Sequence, residues 1–548
     1  MSTKNESDST LDIREADSPA PLESATSSVR PLGSEPAIQL SRSHFVLVFI
    51  GLALAVLLAA IDQVIVATAI AVIGNEFQNF QMIPWIGTSY LLTSAAVTPV
   101  YGKLSDIFGR KPTIIVAIVI FLIGSGISGG AMDMNVLIAG RAIAGIGGGG
   151  LMSLVMIVIA DMTPLATRGR YQGIIGSVFG FASVIGPFVG GAFTDGLTWR
   201  WCFWINFPVG VVALVIIVVF LKAPSGSGTL VERIRRIDTV GFLLMSATTI
   251  SLLLPIQNGG IKWDWNAPQT IALFVTSGVC LVLFVVYERS YAREPMIPTA
   301  VFANRSTILL VICSFLIGSS IFTVISYVPL YFQVVNGATA MQAGISMFPL
   351  VIPLTFVIVA SGILISYIRR YRFILWIGFA LSAIGAGLVS LLDENSNAAQ
   401  RIGFLLVLGF GGGMLMQTKT IAMQNSVMPQ HIGIGTSLVT FGQVMGSALG
   451  IAIGGSVLNN KVVSSLASAH IPSDVLDLIT QTPIALRMVL QSNPSLLMEA
   501  MHAYVQGLQS AFILSIPCAI LGLLLSLAVV EWPQQKLADA QSKQGEKV

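Results

Sequence analysis

Charge is scarce in this chain. Only 10% of its 548 residues are Asp, Glu, Lys or Arg, against ~25% in an ordinary soluble protein. Hydrophobic residues make up 54%, and the mean hydropathy is +0.83. That balance excludes a soluble globular fold. Cysteine is scarce as well. Cys202, Cys280, Cys313 and Cys518 lie in or beside apolar runs, in no metal or redox spacing, and read as small packing residues. The histidines, His44, His431, His470 and His502, fall at the ends of apolar runs or between them. No HExxH helix, no Walker loop and no other catalytic constellation is apparent, so neither an enzyme nor an ATP-driven pump is expected. No secretory signal peptide is visible; the first apolar run is expected to act as its own insertion signal.

What is present in quantity is long apolar runs. A membrane span needs ~20 such residues. Fourteen runs qualify: 45–73, 83–101, 113–131, 135–160, 171–193, 203–221, 239–256, 269–287, 308–332, 344–366, 373–392, 402–420, 433–457 and 509–530. Pro255 and the stretch 263–268 crowd the turn between the seventh and eighth, which leaves twelve spans as the fallback. The fold class expected is an all-α integral membrane protein. Residues 1–43 are polar and rich in Ser, Pro and Glu, and read as a disordered tail.

Net charge is only +3, but its placement carries topology. With the amino terminus inside, the inner turns take Lys103, Arg110, Lys111, Arg168, Arg170, Lys222, Arg233, Arg235, Arg236, Arg289, Arg293, Arg305, Arg369, Arg370 and Arg372. The outer connections take only Arg200, Lys262, Arg401, Lys461 and Arg487. The positive-inside rule then places both termini in the cytoplasm. The sequons at Asn5 and Asn304 fall on the inner side, so modification at Asn304 would overturn this topology.

Two stretches interrupt the rhythm of paired spans. Residues 222–238 form a basic inner linker, read either as a short amphipathic helix on the anionic leaflet or as a solvated connection. Residues 458–508 form a long outer segment with room for short amphipathic helices, for example around 475–490. There is also a faint repeat. GKLSDIFGRK at 102–111 aligns with GILISYIRRY at 362–371, which sets Asp106 against Ser366 and Arg110 against Arg370.

Asp62 is the clean carboxylate inside the first run. A charge there costs at least ~2.5 kcal/mol, which marks a functional site or a structural ion pair. Arg141 in the fourth run is a natural partner. Both fall in the outer half of their spans, roughly 4–5 Å and 10 Å from the midpoint at the helical rise. Either Asp62 binds and releases a coupling proton while Arg141 tunes its proton affinity, or the two form a permanent bridge. Gln63, Tyr90, Gln333 and Gln443 are candidate lining residues of a substrate cavity; Gln417 and Gln424 also lie at membrane depth. Any one of them also suits an ordinary helix–helix hydrogen bond. The chain's 19 methionines would fit an adaptable apolar pocket or plain packing.

Four motifs give these residues a family. Gly102-x-x-x-Asp106-x-x-Gly109-Arg110-Lys111 resembles the signature turn of the major facilitator superfamily, with Ile107 where a basic residue is usual. The resemblance implies a turn that helps two halves switch access. Gly180-x5-Gly186-Pro187-x2-Gly190-Gly191 resembles the antiporter motif of drug:proton exporters. WRWCFWINFPVG at 199–210 looks like the opening of span six in the fourteen-span branch. RAIAGIGGGG at 141–150 resembles the family's span-four motif, with Ala144 where glutamine is common. A nucleotide loop is rejected there, because no strand precedes it.

The resemblance implies two six-helix bundles, 44–221 and 291–530, with an added helix pair at 239–290 and a short tail at 531–548. The expected function is proton-coupled export of small amphipathic compounds, drugs, toxins or secondary metabolites, with no cofactor beyond the proton gradient. Expected partners are the substrate, protons and the bilayer, without nucleic acid, in a monomer at the plasma membrane. A vacuolar importer of basic amino acids shares these motifs and stays open. A non-transporting nutrient sensor is the third reading.

Overall fold

A computed structural model describes residues 38, 40–79, 82–224, 226, 228–259, 263–466, 486–490 and 494–531. Most of both tails and much of the outer segment lie outside the described residues; of the helix expected around 475–490, only 486–490 are described, and Leu486–Val489 form one helical turn. What is described is helical throughout, which matches the all-α expectation.

The first half holds α1 (Arg42–Phe77), α2 (Ile83–Phe108), α3 (Arg110–Gly129), α4 (Met134–Met162), α5 (Leu165–Gly196), the single turn α6 (Trp201–Trp204) and α7 (Asn206–Phe220). A short linker helix, α8 (Leu230–Arg235), precedes the added pair α9 (Thr239–Asn258) and α10 (Pro268–Ser290). The second half holds α11 (Arg305–Val334), α12 (Ala340–Ser346), α13 (Phe348–Ile368), α14 (Arg372–Val389), α15 (Ala398–Ser426) and α16 (Ile432–Leu466). It ends with α17 (Leu486–Val489), α18 (Pro494–Ile513) and α19 (Ser515–Leu527).

Thirteen helical segments are long and apolar enough to cross a membrane, which makes this a multi-pass membrane protein. They include α9 and α10, the two spans that proline crowding put in question. Pro255 sits in the last turn of α9, and Pro268 opens α10, where its missing N–H costs nothing. The thirteen match all the expected runs except the second. That run is α2, 26 residues long with Lys103 and Asp106 near its end. The outer segment is shorter than expected, because α16 continues to Leu466 and α18 already begins at Pro494.

Lipid tails do not drive helices together, so small residues that let backbones approach supply the packing. The seam of α3 and α4 shows this. A Cβ on Gly140 would lie 2.6 Å from Ser128 Oγ, and one on Gly124 would meet the backbone of Ala144. Helix starts are capped from the sequence. Asp133 accepts the N–H groups of Asn135 (2.8 Å) and Val136 (3.0 Å) at α4, and Asn397 with Gln400 forms a capping box at α15.

The halves meet along two antiparallel seams, α5 with α13 and α2 with α16. The added helix α9 packs on both α2 and α16, around Leu92, Leu253 and Met445. The linker takes its helical reading, with Thr229 and Glu232 forming a capping box. Arg236 pairs with Glu294 at 2.8 Å, and Lys103 lies 3.7 Å from the same carboxylate.

Candidate functional site

Asp62 is fully buried in α1, and Arg141 on α4 is 2% exposed. Arg141 Nη1 donates to Asp62 Oδ2 at 2.5 Å. Asn206, the first residue of α7, donates from Nδ2 to Asp62 Oδ1 at 3.0 Å and to Ser125 Oγ at 3.1 Å. Arg141 Nε donates to the carbonyl of Ile86 at 3.2 Å, and its guanidinium lies 4.5 Å over the ring of Tyr90. Both carboxylate oxygens are therefore occupied, and the two charges cancel inside one helix bundle. The depth argument from the sequence brought this pair within reach, and in this conformation the bridge is made.

The glycines after Arg141 are slots for α2 and α3. A Cβ on Gly145 would lie 2.9 Å from Tyr90 Cα, one on Gly149 2.6 Å from the carbonyl of Ser94, and one on Gly150 2.6 Å from the Tyr101 ring. Thr93 Oγ1 donates to the carbonyl of Ala142 at 2.8 Å across the same seam. Close approach of α2 is what seats Tyr90 beneath Arg141.

The 102–111 turn is built differently from a simple helical ion pair. α2 stops at Phe108, and Gly109 adopts φ +96°, where a side chain would be strained. Arg110 then opens α3 and pairs back to Asp106 across the break. It also donates from Nε to Asp161 Oδ2 of α4 at 2.7 Å and from Nη1 to Ser105 Oγ at 2.7 Å. Asp161 was not foreseen. Lys111 Nζ donates to the carbonyl of Val218 at 2.6 Å, which ties α3 to α7.

The faint repeat is realised as two reciprocal contacts. A Cβ on Gly102 would lie 2.8 Å from the carbonyl of Gly433, in the first turn of α16. A Cβ on Gly169, in the first turns of α5, would lie 2.6 Å from the carbonyl of Gly362. Each repeat glycine thus meets the start of a helix in the opposite half. Ser366 Oγ accepts the backbone N–H of Arg170 at 3.2 Å, while Asp106 sits against Gly433. Further along the same end, a chain of amides crosses between the halves. Gln417 Nε2 donates to Gln172 Oε1, Gln172 Nε2 donates to Gln424 Oε1, both at 3.0 Å, and Gln424 Nε2 donates to Thr436 Oγ1 at 3.1 Å.

In the expected antiporter motif, Gly180 is held against Thr355 of α13, and Gly186 faces Val64 of α1, two residues beyond Asp62. Pro187 lies inside α5, next to Gly344. The carbonyl of Gly190 accepts from Thr194 Oγ1 at 2.7 Å. Gly191 departs from the packing reading, since nothing lies within 4 Å of a Cβ built there. Within 199–210, Trp201 and Trp204 are exposed, but Trp199 is buried and donates to Glu76 Oε2 at 2.5 Å.

The four cavity candidates are not gathered on one surface. Gln63 turns back onto its own helix, donating to the carbonyl of Ala59 at 3.3 Å. Tyr90 belongs to the Arg141 site. Gln333 lies next to the last residue of α11. Gln443, on α16, accepts a hydrogen bond from Lys419 of α15, a residue that sequence reading passed over. Lys419 is 2% exposed. It stood at the edge of an apolar run ending at 420, where a lysine reads as an interfacial anchor. The helix continues to Ser426 and leaves it inside.

Two helical halves joined by pseudo-symmetric seams, with a compensated charge pair buried in one of them, are the architecture of a secondary membrane transporter. The family model of the Major Facilitator Superfamily matches residues 52–451, and the chain belongs to that superfamily. Over 93% of its length it is 34% identical to the MFS-type efflux pump LUC4 of a Fusarium species, covering 92% of that protein. Efflux pump FUS6 of Gibberella moniliformis is also 34% identical, over 93% of this chain and 91% of the pump. MFS-type efflux pump MFS1 of Arthroderma benhamiae is 38% identical over 76% of this chain and 79% of its own. Among solved structures, a double-tryptophan mutant of XylE superposes with a TM-score of 0.60 at 14% identity, over 92% of this chain and all of that one. That likeness shows the shared fold.

Proposed function

We propose that this protein is a proton-coupled antiporter that exports small amphipathic compounds, drugs, toxins or secondary metabolites, from the cytoplasm. The observation that carries the coupling is the buried Asp62–Arg141–Asn206 cluster. Protonating Asp62 removes the charge that holds Arg141, and the guanidinium must then find other acceptors. Arg141 stands on α4, which packs on α2 and α16, so its rearrangement bears on a seam between the halves. The efflux direction is supported by the printed names of the fungal relatives. Asp62 is the proton carrier and Arg141 its switchable counter-ion. The 102–111 turn, Gly102, Asp106, Gly109, Arg110 and Lys111, stabilises the state whose cytoplasmic seam is closed. Gly180 and Gly186 keep α5 close to α13 and α1, and Pro187, Gly190 and Gly191 shape α5 beyond them.

The same reading counts α2 as the fourteenth span, sets both termini in the cytoplasm, and takes the protein as a monomer of the plasma membrane. Its test is accumulation of cationic, neutral and anionic toxic compounds in a pump-deficient yeast at equal surface expression. Wild type should lower accumulation relative to empty vector, and Asp62→Asn should abolish the difference. Efflux that survives in Asp62→Asn refutes the role of Asp62. No effect on any compound, with the protein on the vacuolar membrane, points to amino-acid loading of vacuoles instead.

A further inference from the structure

The second half holds a buried cation that the coupling scheme does not use. Lys419 lies roughly 10 Å along α15 from Ser426. Its neighbours Gln417, Thr418 and Thr420 are buried with it. Its Nζ donates to Gln443 Oε1, and among the described residues no carboxylate pairs with it. An ammonium has three donors, and one of them is used. Gln443 is weakly held on its other side, where Nε2 reaches only Met416 Sδ at 3.5 Å. A buried ion without a counter-charge is costly, which leaves Lys419 poised for a negative partner.

The surroundings give that partner a way in. α16 packs on α2, α4, α9, α11, α15 and α18, so it is ringed by protein. Its α11-facing stripe, Gly442, Gly446 and Gly450, is closed against Val311, Phe315 and Ser319. A second stripe, Thr440, Gln443, Val444 and Ser447, is only half-buried. Gln443 belongs to that half-buried stripe, so the partner of Lys419 stands at its edge.

We propose that Lys419 and Gln443 form an anion-recognising subsite of the transport pathway, so that the cargo carries a carboxylate or a comparably acidic oxygen; this rests on the transport reading above. The anion takes the place of the Gln443 carbonyl at Lys419. The freed carboxamide rotates and donates its N–H to the same anion. The cargo then occupies the site as a neutral ion pair, as Asp62 does with Arg141.

The test uses purified full-length protein in nanodiscs and three fluorescent probes on one ring: 2-naphthoate, 2-naphthamide and 2-naphthylmethylammonium. Wild type should bind naphthoate best. Lys419→Gln should weaken naphthoate by on the order of 30-fold or more and leave naphthamide unchanged. Lys419→Arg should keep the charge preference, which covers the case in which Lys419→Gln does not fold. No preference for naphthoate in wild type overturns the proposal, as does a preference that persists in folded Lys419→Gln. A proton-gradient efflux assay in vesicles separates the two readings. Lys419-dependent binding with no transport of any probe keeps the anion site and sinks the exporter. Asp62-dependent efflux of dyes without any Lys419-dependent binding does the reverse.

Discussion

The two halves share a fold but treat the charges deep within their helices in opposite ways; Arg168, buried at the start of α5, leans on the carbonyl of Ala160 instead. In the first, Asp62 meets Arg141 and Asn206, and both carboxylate oxygens are satisfied. In the second, Lys419 meets one amide carbonyl. The first arrangement is closed on itself; the second is completed by something outside the chain. Pseudo-symmetry governs the seams, where Gly102 and Gly362 play equivalent parts, and stops at the charges. The two proposals place the proton in the first half and the cargo anion in the second.

Stability measurements can break this comparison. Arg141→Leu leaves Asp62 buried without its counter-ion, so it should cost about 3–5 kcal/mol, read as a fall in thermal unfolding temperature in detergent. Asp62→Leu combined with Arg141→Leu should recover most of that loss. A single mutant as stable as wild type would mean that the pair is not compensating. Lys419→Met should do the opposite and leave stability unchanged or raise it by up to about 4 kcal/mol, because it removes a desolvated charge that lacks a counter-ion. A loss of stability there would show that the lysine already has a partner and would erase the contrast. Gln172→Leu gives the uncharged baseline. Its amide bridges the halves through Gln417 and Gln424, and such bonds average about 0.6 kcal/mol in a membrane. A shift larger than that of Arg141→Leu would make the amide chain, rather than the ion pair, the dominant polar contact.

The sequence made some of this visible for a physical reason. Asp62 and Arg141 lie well inside apolar runs, so their charge stands out against lipid-like neighbours. The helical rise then puts them at similar depth, and the bridge confirms it. Lys419, Gln172 and Asp161 lie where apolar runs fade, at 420, 171 and 160, and hydropathy takes such positions for water or headgroups. The helices continue to Ser426, begin at Leu165 and end at Met162, because their ends pack on protein instead. A polar residue there can be fully buried without ever facing lipid. The four cavity candidates failed to converge for a related reason. Composition at a given depth does not say which face of a helix a residue occupies. Trp199 shows the same limit, since two of its neighbours meet the interface while it turns inward to Glu76.

The placement of α9 has one more consequence. It lies over the α2–α16 seam and touches both halves, whereas among the described helices the α5–α13 seam is touched by the seven-residue helix α12 and by α15, with no added membrane-length pair over it. The protein therefore has a front and a back within the plane of the bilayer. A greasy molecule diffusing sideways through the lipid meets a two-helix shield on one flank and, on the other, a joint crossed only by a short helix.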